Sequence, residues 1–185
     1  LTEKAIRYKM GRRGEEKAVE NLLYSLDGRW FLIRNFVWKY RKWGDVDLIL
    51  VGPGGVWVFE VKAFSGKIRN IGTRWQKKGK FWWYDLPSNP GRQARRNAAR
   101  VKEYLSENGI PIKWVTPVVI WAGDLSPLDE EKGHLTLENP ETPVWKAEEI
   151  DQHIDEFMQH SNFADKVNDA VAIFARDIET YEKPK

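Results

Sequence analysis

"GDVDLILVGPGGVWVFEVK", Gly44 to Lys62, reads as two apolar β-strands joined by a tight turn at "GPGG". Asp47 nevertheless stands inside "VDLILV", and Glu60 stands two residues before Lys62 inside "VWVFEVK". An unpaired buried carboxylate costs several kcal/mol, so these charges must be paired, exposed or bound to a cation. Alternation along the second strand puts Val58, Glu60 and Lys62 on one face and Trp57, Phe59 and Val61 on the other. Pairing across so short a turn can bring Asp47 and Glu60 together at one end of a sheet.

The flanking segments extend this unit. Upstream, "RWFLIRNFVWKY" is aromatic and β-branched and reads as a strand, completing a three-stranded meander. Before it, "GEEKAVENLLYSL" places Ala18, Val19, Leu22, Leu23 and Leu26 at helical spacing. On that wheel Glu15 falls near the middle of the apolar arc and Glu16 near its edge, so Glu15 is expected to point inward. Downstream, "RNIGTRWQKKGKFWWYDL" is basic and aromatic, and predicts a hairpin turning at "KKGK". "SNPGRQARRNAARVKEYLSENG" predicts a helix with Ser88 or Asn89 as its cap, Pro90 early and "NG" at its close. Ala94, Ala98, Val101 and Leu105 form its apolar stripe; Gln93, Arg96, Asn97 and Arg100 form a polar edge. "KWVTPVVIWAG" is a buried-type strand reached by a crossover beside the meander. An acidic remainder, 124–185, predicts a short strand near "TPVWKA" and two helices.

No internal repeat or linker divides the 185 residues, and one domain, 1–185, is the expectation. No run approaches the roughly 18 apolar residues of a membrane span, so no membrane partner is expected. The absence of cysteine excludes disulfides and thiolate metal sites, and fits a reducing, cytoplasmic compartment. The net charge of +3 conceals an asymmetry: residues 1–115 hold 24 Lys and Arg against 11 Asp and Glu, and residues 116–185 hold 6 against 16. The basic segment suits a polyanion, and nucleic acid is the expected partner.

Oxygen ligands of the kind supplied by Asp47 and Glu60 suit Mg²⁺ or Mn²⁺, which use a few carboxylates and keep waters; the carbonyl of Val61 could add another ligand. Such a cation would polarise a phosphodiester, and Lys62 could position a water or stabilise developing negative charge. Trp75, Trp82 and Trp83 lie among Arg69, Arg74, Lys77, Lys78 and Lys80, a combination suited to stacking bases over a basic groove, and Arg92, Arg96 and Arg100 extend it along the helix.

These residues resemble the nuclease-related domain family, a branch of the PD-(D/E)xK nuclease superfamily. The likeness runs in order through "GRRGEEKAVENLL", "GDVDLILVGPGGVWVFEVKAFSGKI", Trp75, "NPGRQARRNAARV" and "VTPVVIW", from about Gly11 to Gly123. It implies a restriction-endonuclease-like α/β core, α-β-β-β-α-β, with a mixed sheet flanked by helices and followed by C-terminal helices. Glu15, Asp47, Glu60 and Lys62 match the catalytic signature, Glu15 joining the metal ligands, and Gln93 matches the polar helix position beside the site. Asp45 stands where relatives often carry a neutral polar residue and is not counted as a ligand. The expected activity is a Mg²⁺- or Mn²⁺-dependent deoxyribonuclease, endonuclease favoured; the alternative is a non-catalytic nucleic-acid-binding or interaction module of the same fold. Many relatives of this fold cut as dimers, which leaves a homodimer open, although no stretch here is a dimer seam.

Overall fold

Apolar stripes at helical and strand period set the architecture of the computed structural model, which describes residues 3–38, 41–64, 66–123, 134–157 and 161–181. Helix α1 (Glu3–Ser25) starts well before the periodic stretch that announces it. Three strands follow as a meander, β1 (Phe31–Val37), β2 (Asp45–Gly52) and β3 (Gly55–Lys62). A second meander of β4 (Lys67–Ile71), β5 (Arg74–Lys78) and β6 (Trp83–Asp85) leads into α2 (Pro90–Glu107) and then β7 (Thr116–Trp121). The acidic extension supplies β8 (His134–Glu138), β9 (Val144–Lys146), α3 (Ile154–Phe157) and α4 (Val167–Tyr181), with 3₁₀ turns over Ala147–His153 and Ser161–Lys166.

The first sheet runs β1-β2-β3-β7-β9, antiparallel up to β3 and parallel beyond it. With α1 and α2 this is the restriction-endonuclease-like α-β-β-β-α-β order, in a mixed sheet covered on both faces. One face buries Leu48, Leu50, Trp57, Phe59 and Val61 against Ala18 and Leu22 of α1 and Phe157 of α3. The other buries Ile49, Val51, Val56 and Val58 against Ala98, Val101 and Leu105 of α2 and Phe174 of α4. β3 is thus apolar on both faces until Glu60, as a central strand next to a parallel neighbour must be.

The second meander forms its own mixed sheet, β6-β5-β4-β8, and packs Ile68 and Trp75 against Ala94, Val119 and Trp121. Three expectations change here. The turn near "KKGK" exists, closed by the Gly79 amide on the Trp82 carbonyl at 2.8 Å, but a second turn at Gly72, in the left-handed region with φ 55°, makes three strands rather than a hairpin. The extension carries two strands, not one, and each completes the edge of a different sheet. Its first helix is mostly 3₁₀, with only four α-helical residues, Ile154–Phe157. Among the described residues no helix is long and apolar enough to cross a membrane.

Candidate active site

The carboxylates gather where β2 diverges from β3. The last ladder pair before that end is Leu48 opposite Phe59, so Asp47 stands one step on, beside Glu60. On its other side β1 pairs Arg34 with Leu48 and Phe36 with Val46, skipping Asn35, which takes the left-handed φ of 49° that Asn tolerates. Free of the main-chain ladder, Asp47 turns its carboxylate to β3 and accepts the Val61 N–H at its Oδ2, 2.7 Å away. The Lys62 carbonyl meanwhile accepts from Ala122 beyond β7. By alternation Val61 therefore directs its N–H and carbonyl together towards the β2 side, the side of Asp47.

Glu60 is 3% exposed. Its Oε1 lies 2.6 Å from Lys62 Nζ, an ion pair formed two residues along one strand face. Helix α1 brings a third acid because Gly14 lets it approach: a Cβ there would stand 3.0 Å from Ala63 Cβ and 3.1 Å from Ala122 Cβ, just past the ends of β3 and β7. The next residue, Glu15, is half-buried, while Glu16 is exposed. Glu15 feels the charges of Asp47, Arg34, Asp45 and Lys62, as the helical wheel anticipates for the inward acid.

Burial first and the neighbouring carboxylates second push these acids up. Glu60 rises from the usual 4.5 to about 7, through burial and then Asp47, with Lys62 pulling the other way. Asp47 rises through burial, against the hydrogen bond from Val61 and the charge of Lys62. Glu15 rises through burial and Asp47. Burial opposes the charge of Lys62, but Glu60, then Asp47 and Asp45, outweigh it and hold the ammonium above its ordinary value. Asp45 thus adds to the field although it is not counted among the ligands. Asn97, which carries no expected role, is a buried α2 residue whose Nδ2 donates to the Asp45 carbonyl at 3.4 Å and ties α2 to the start of β2. Its place on the polar edge of α2 is the available signal.

This gathering has a consequence for stability. Glu60 has a folded pKa above its unfolded one, so its contribution is fully present below about pH 4.5 and is lost as pH rises through about 7; Asp47 and Glu15 act in the same sense. In EDTA the domain is expected to melt at a lower temperature near pH 8 than near pH 5.5, and Mn²⁺ is expected to restore more of the loss at the higher pH. Melting temperatures in EDTA that do not fall across that window would contradict the clustering of these acids.

A family model described as the nuclease-related domain matches residues 10–122, more than half of the chain. The chain belongs to the nuclease-related domain family. Neither a curated protein nor a solved structure matches it. The span that matches the nuclease-related domain contains Glu15, Asp47, Glu60, Lys62 and Gln93. Within this nuclease-related domain Gln93 lies on α2 one turn before Asn97, and its Oε1 is shielded from solvent without a hydrogen-bond partner.

The basic residues separate into groups. Arg74, Arg92 and Arg96 line a cleft with Gln93. Lys78 is exposed and lies over the Trp83 ring, 5.5 Å from its centroid, and Arg69 covers the same ring at 4.2 Å. Lys77 is half-buried. Two expectations are corrected. Trp75 is 4% exposed and packed into the core between the second sheet and α2, so its faces are not free to stack on bases. Arg100 donates to the Trp43 carbonyl and lies over the Trp43 ring at 5.2 Å, so it holds the segment before β2 rather than standing free.

Among the described residues no three His, Cys, Asp or Glu side chains form a ready cage for a metal. The donor set present, two adjacent carboxylates and a main-chain carbonyl on the same side, fits Mg²⁺ or Mn²⁺, which bind through one or two carboxylates and complete their shells with water and substrate phosphate. Excess negative charge in a poorly solvated place, visible in the raised Glu60, is what a divalent cation would neutralise.

Proposed function

We propose that this nuclease-related domain is a Mg²⁺- or Mn²⁺-dependent nuclease that hydrolyses phosphodiester bonds in DNA and cuts within the strand. The observation that carries the reading is the meeting of Asp47 and Glu60 at the divergence of β2 and β3, with the Lys62 ammonium 2.6 Å from Glu60. Asp47, Glu60 and the Val61 carbonyl would hold the cation, with Glu15 facing them from α1. When bound, it supplies a Lewis acid for the phosphodiester and lowers the pKa of water.

The protein's own groups do the rest. An ammonium has three donors, so Lys62 can keep Glu60 and still offer N–H groups to a water or a phosphate oxygen. Its raised pKa keeps it charged at neutral pH, where a fixed positive charge favours the developing negative charge on the phosphate. Asn97 holds the β2 backbone that carries Asp45 and Asp47, and Arg92 and Arg96 offer guanidinium groups suited to phosphate.

Incubation with linear, closed circular and single-stranded DNA in Mg²⁺, Mn²⁺ or EDTA tests the reading. Cleavage is expected with either cation and not in EDTA, and nicking or linearisation of a closed circle would establish internal cutting. Intact substrates under all three conditions would overturn it. One observation favours the alternative, a nucleic-acid-binding module without turnover: Glu60 already has a cation partner in Lys62. That module would bind DNA equally with and without divalent metal.

A further inference from the structure

A cleft of about 530 Å³ opens between the first turns of α2 and the ends of β5 and β6, lined by Arg74, Trp75, Asp85, Arg92, Gln93 and Arg96 among others. The proposed cation site at Asp47 and Glu60 lies outside its lining, although Arg92 and Arg96 belong to both readings. Its size lies in the range of small-molecule sites, room for a single nucleotide but not for a double helix. Two features of its wall, and a third on the same β5–β6 hairpin, bear on what it takes.

Gln93 Oε1 is buried and has no hydrogen-bond partner, and such an acceptor is best satisfied by an N–H brought in by a ligand. The N–H groups on the pairing edge of a nucleobase are donors of that kind, and they are available only when the base is unpaired. Arg92 and Arg96 stand exposed at the rim and enter no ion pair with another described residue, whereas Arg74 is paired with Asp85 at 3.1 Å. Two uncommitted guanidinium groups one turn apart suit successive phosphates. At the other end of the β5–β6 hairpin, the turn between the two strands holds out Phe81 and Trp82, 69% and 71% exposed, with Lys80 Nζ 5.2 Å from the Phe81 ring centroid. Exposed aromatics among cations are platforms for unpaired bases.

The helix that walls the cleft is also tied to β2, the strand that carries Asp47. Gln93 lies one turn, about 5.4 Å of rise, from Asn97, which donates to the Asp45 carbonyl. We infer that the cleft holds one unpaired nucleotide of a nucleic-acid strand, its base edge on Gln93 and its phosphates on Arg92 and Arg96. The substrate class is then single-stranded or frayed nucleic acid; the link to cleavage rests on the nuclease reading, but the binding does not.

Binding is measured in EDTA on the full chain by fluorescence anisotropy, using labelled oligothymidylate, alone or annealed to its complement as a blunt duplex, with thymidine monophosphate as competitor. The free strand is expected to bind at least about tenfold tighter than the duplex, and the Arg92→Ala/Arg96→Ala variant to lose about tenfold for the strand while melting like the parent. Gln93→Leu is expected to weaken the strand with the salt dependence unchanged, because it removes no charge. Equal affinity for strand and duplex, or a double variant that binds the strand like the parent, would overturn the inference. So would a mononucleotide that competes as well as the strand, which would assign the cleft to free nucleotides. A strand preference that persists in EDTA supports the inference even if Mg²⁺ and Mn²⁺ elicit no cleavage, the result that sinks the nuclease reading alone.

Discussion

Lys62→Met is expected to leave the domain folded and able to bind DNA while lowering single-turnover cleavage by about two to three orders of magnitude. Methionine keeps an unbranched side chain of similar length and removes the ammonium. That ammonium sits 2.6 Å from Glu60 Oε1, and its side chain is 22% exposed, so it is partly withdrawn from water while still open to a substrate. A charge in such a place acts where negative charge develops and is worth about 3–4 kcal/mol to the transition state, whereas one phosphate contact among many adds little to ground-state affinity. Glu60 would also lose the neighbour that holds its pKa down and would rise further, so the residual activity should appear only at higher pH than in the parent. Measuring cleavage at saturating DNA and affinity on one preparation separates the two effects. Unchanged cleavage would reduce the Glu60–Lys62 contact to an ion pair that only supports the strand.

Glu60→Gln is expected to abolish cleavage, by about a thousandfold or more, and to remove most of the stabilisation that Mn²⁺ confers. In EDTA near pH 8 the same variant should melt no lower than the parent, because it removes a buried charge that repels Asp47 while Lys62 retains Asp47 and Asp45. Asp47→Ala should differ although the two acids are neighbours. It leaves the buried Val61 N–H without its acceptor, a loss of about 1–3 kcal/mol that offsets the relieved repulsion. Equal melting temperatures for the two variants would mean that Asp47 has no structural role. Cleavage at the parental rate in either would remove both acids from the site.

Much of this arrangement is legible in residue order because it rests on period and sign. Two apolar strands across a tight turn bring Asp47 to Glu60, and the helical wheel distinguishes Glu15 from Glu16. The core order α-β-β-β-α-β follows from the same patterns. What escapes depends on contacts between distant segments. Trp75 looks like its neighbours Trp82 and Trp83 in a basic run, and only the packing of the second sheet on α2 decides that it is core while Trp82 is surface. Arg100 shares the polar edge of α2 with Arg96, but its guanidinium is committed to Trp43, 57 residues away. Strand β8, "HLTLE", is short and largely exposed, and exists by pairing with β4 rather than by any apolar signal of its own. Asn97 stands on the polar edge of α2 in the sequence, but its partner emerges only when β2 is placed against α2, since no spacing rule links Asn97 to Asp45.

The pairing of β2 has a further consequence. Its outer edge stays joined to β1 as far as Val37 opposite Asp45, while its inner edge leaves β3 after Leu48. The sheet is therefore already forked at the carboxylates, with the Asp47 side chain spanning the crotch to Val61. A group entering between Asp47 and Glu60 need not pull neighbouring strands apart or forfeit a ladder hydrogen bond. The work of opening the sheet is done once, during folding, by a side chain standing in for a backbone carbonyl, the Asp47 carboxylate on the Val61 N–H. What remains at the moment of binding is reorganisation of side chains alone, which is how a preorganised site keeps that cost out of each encounter.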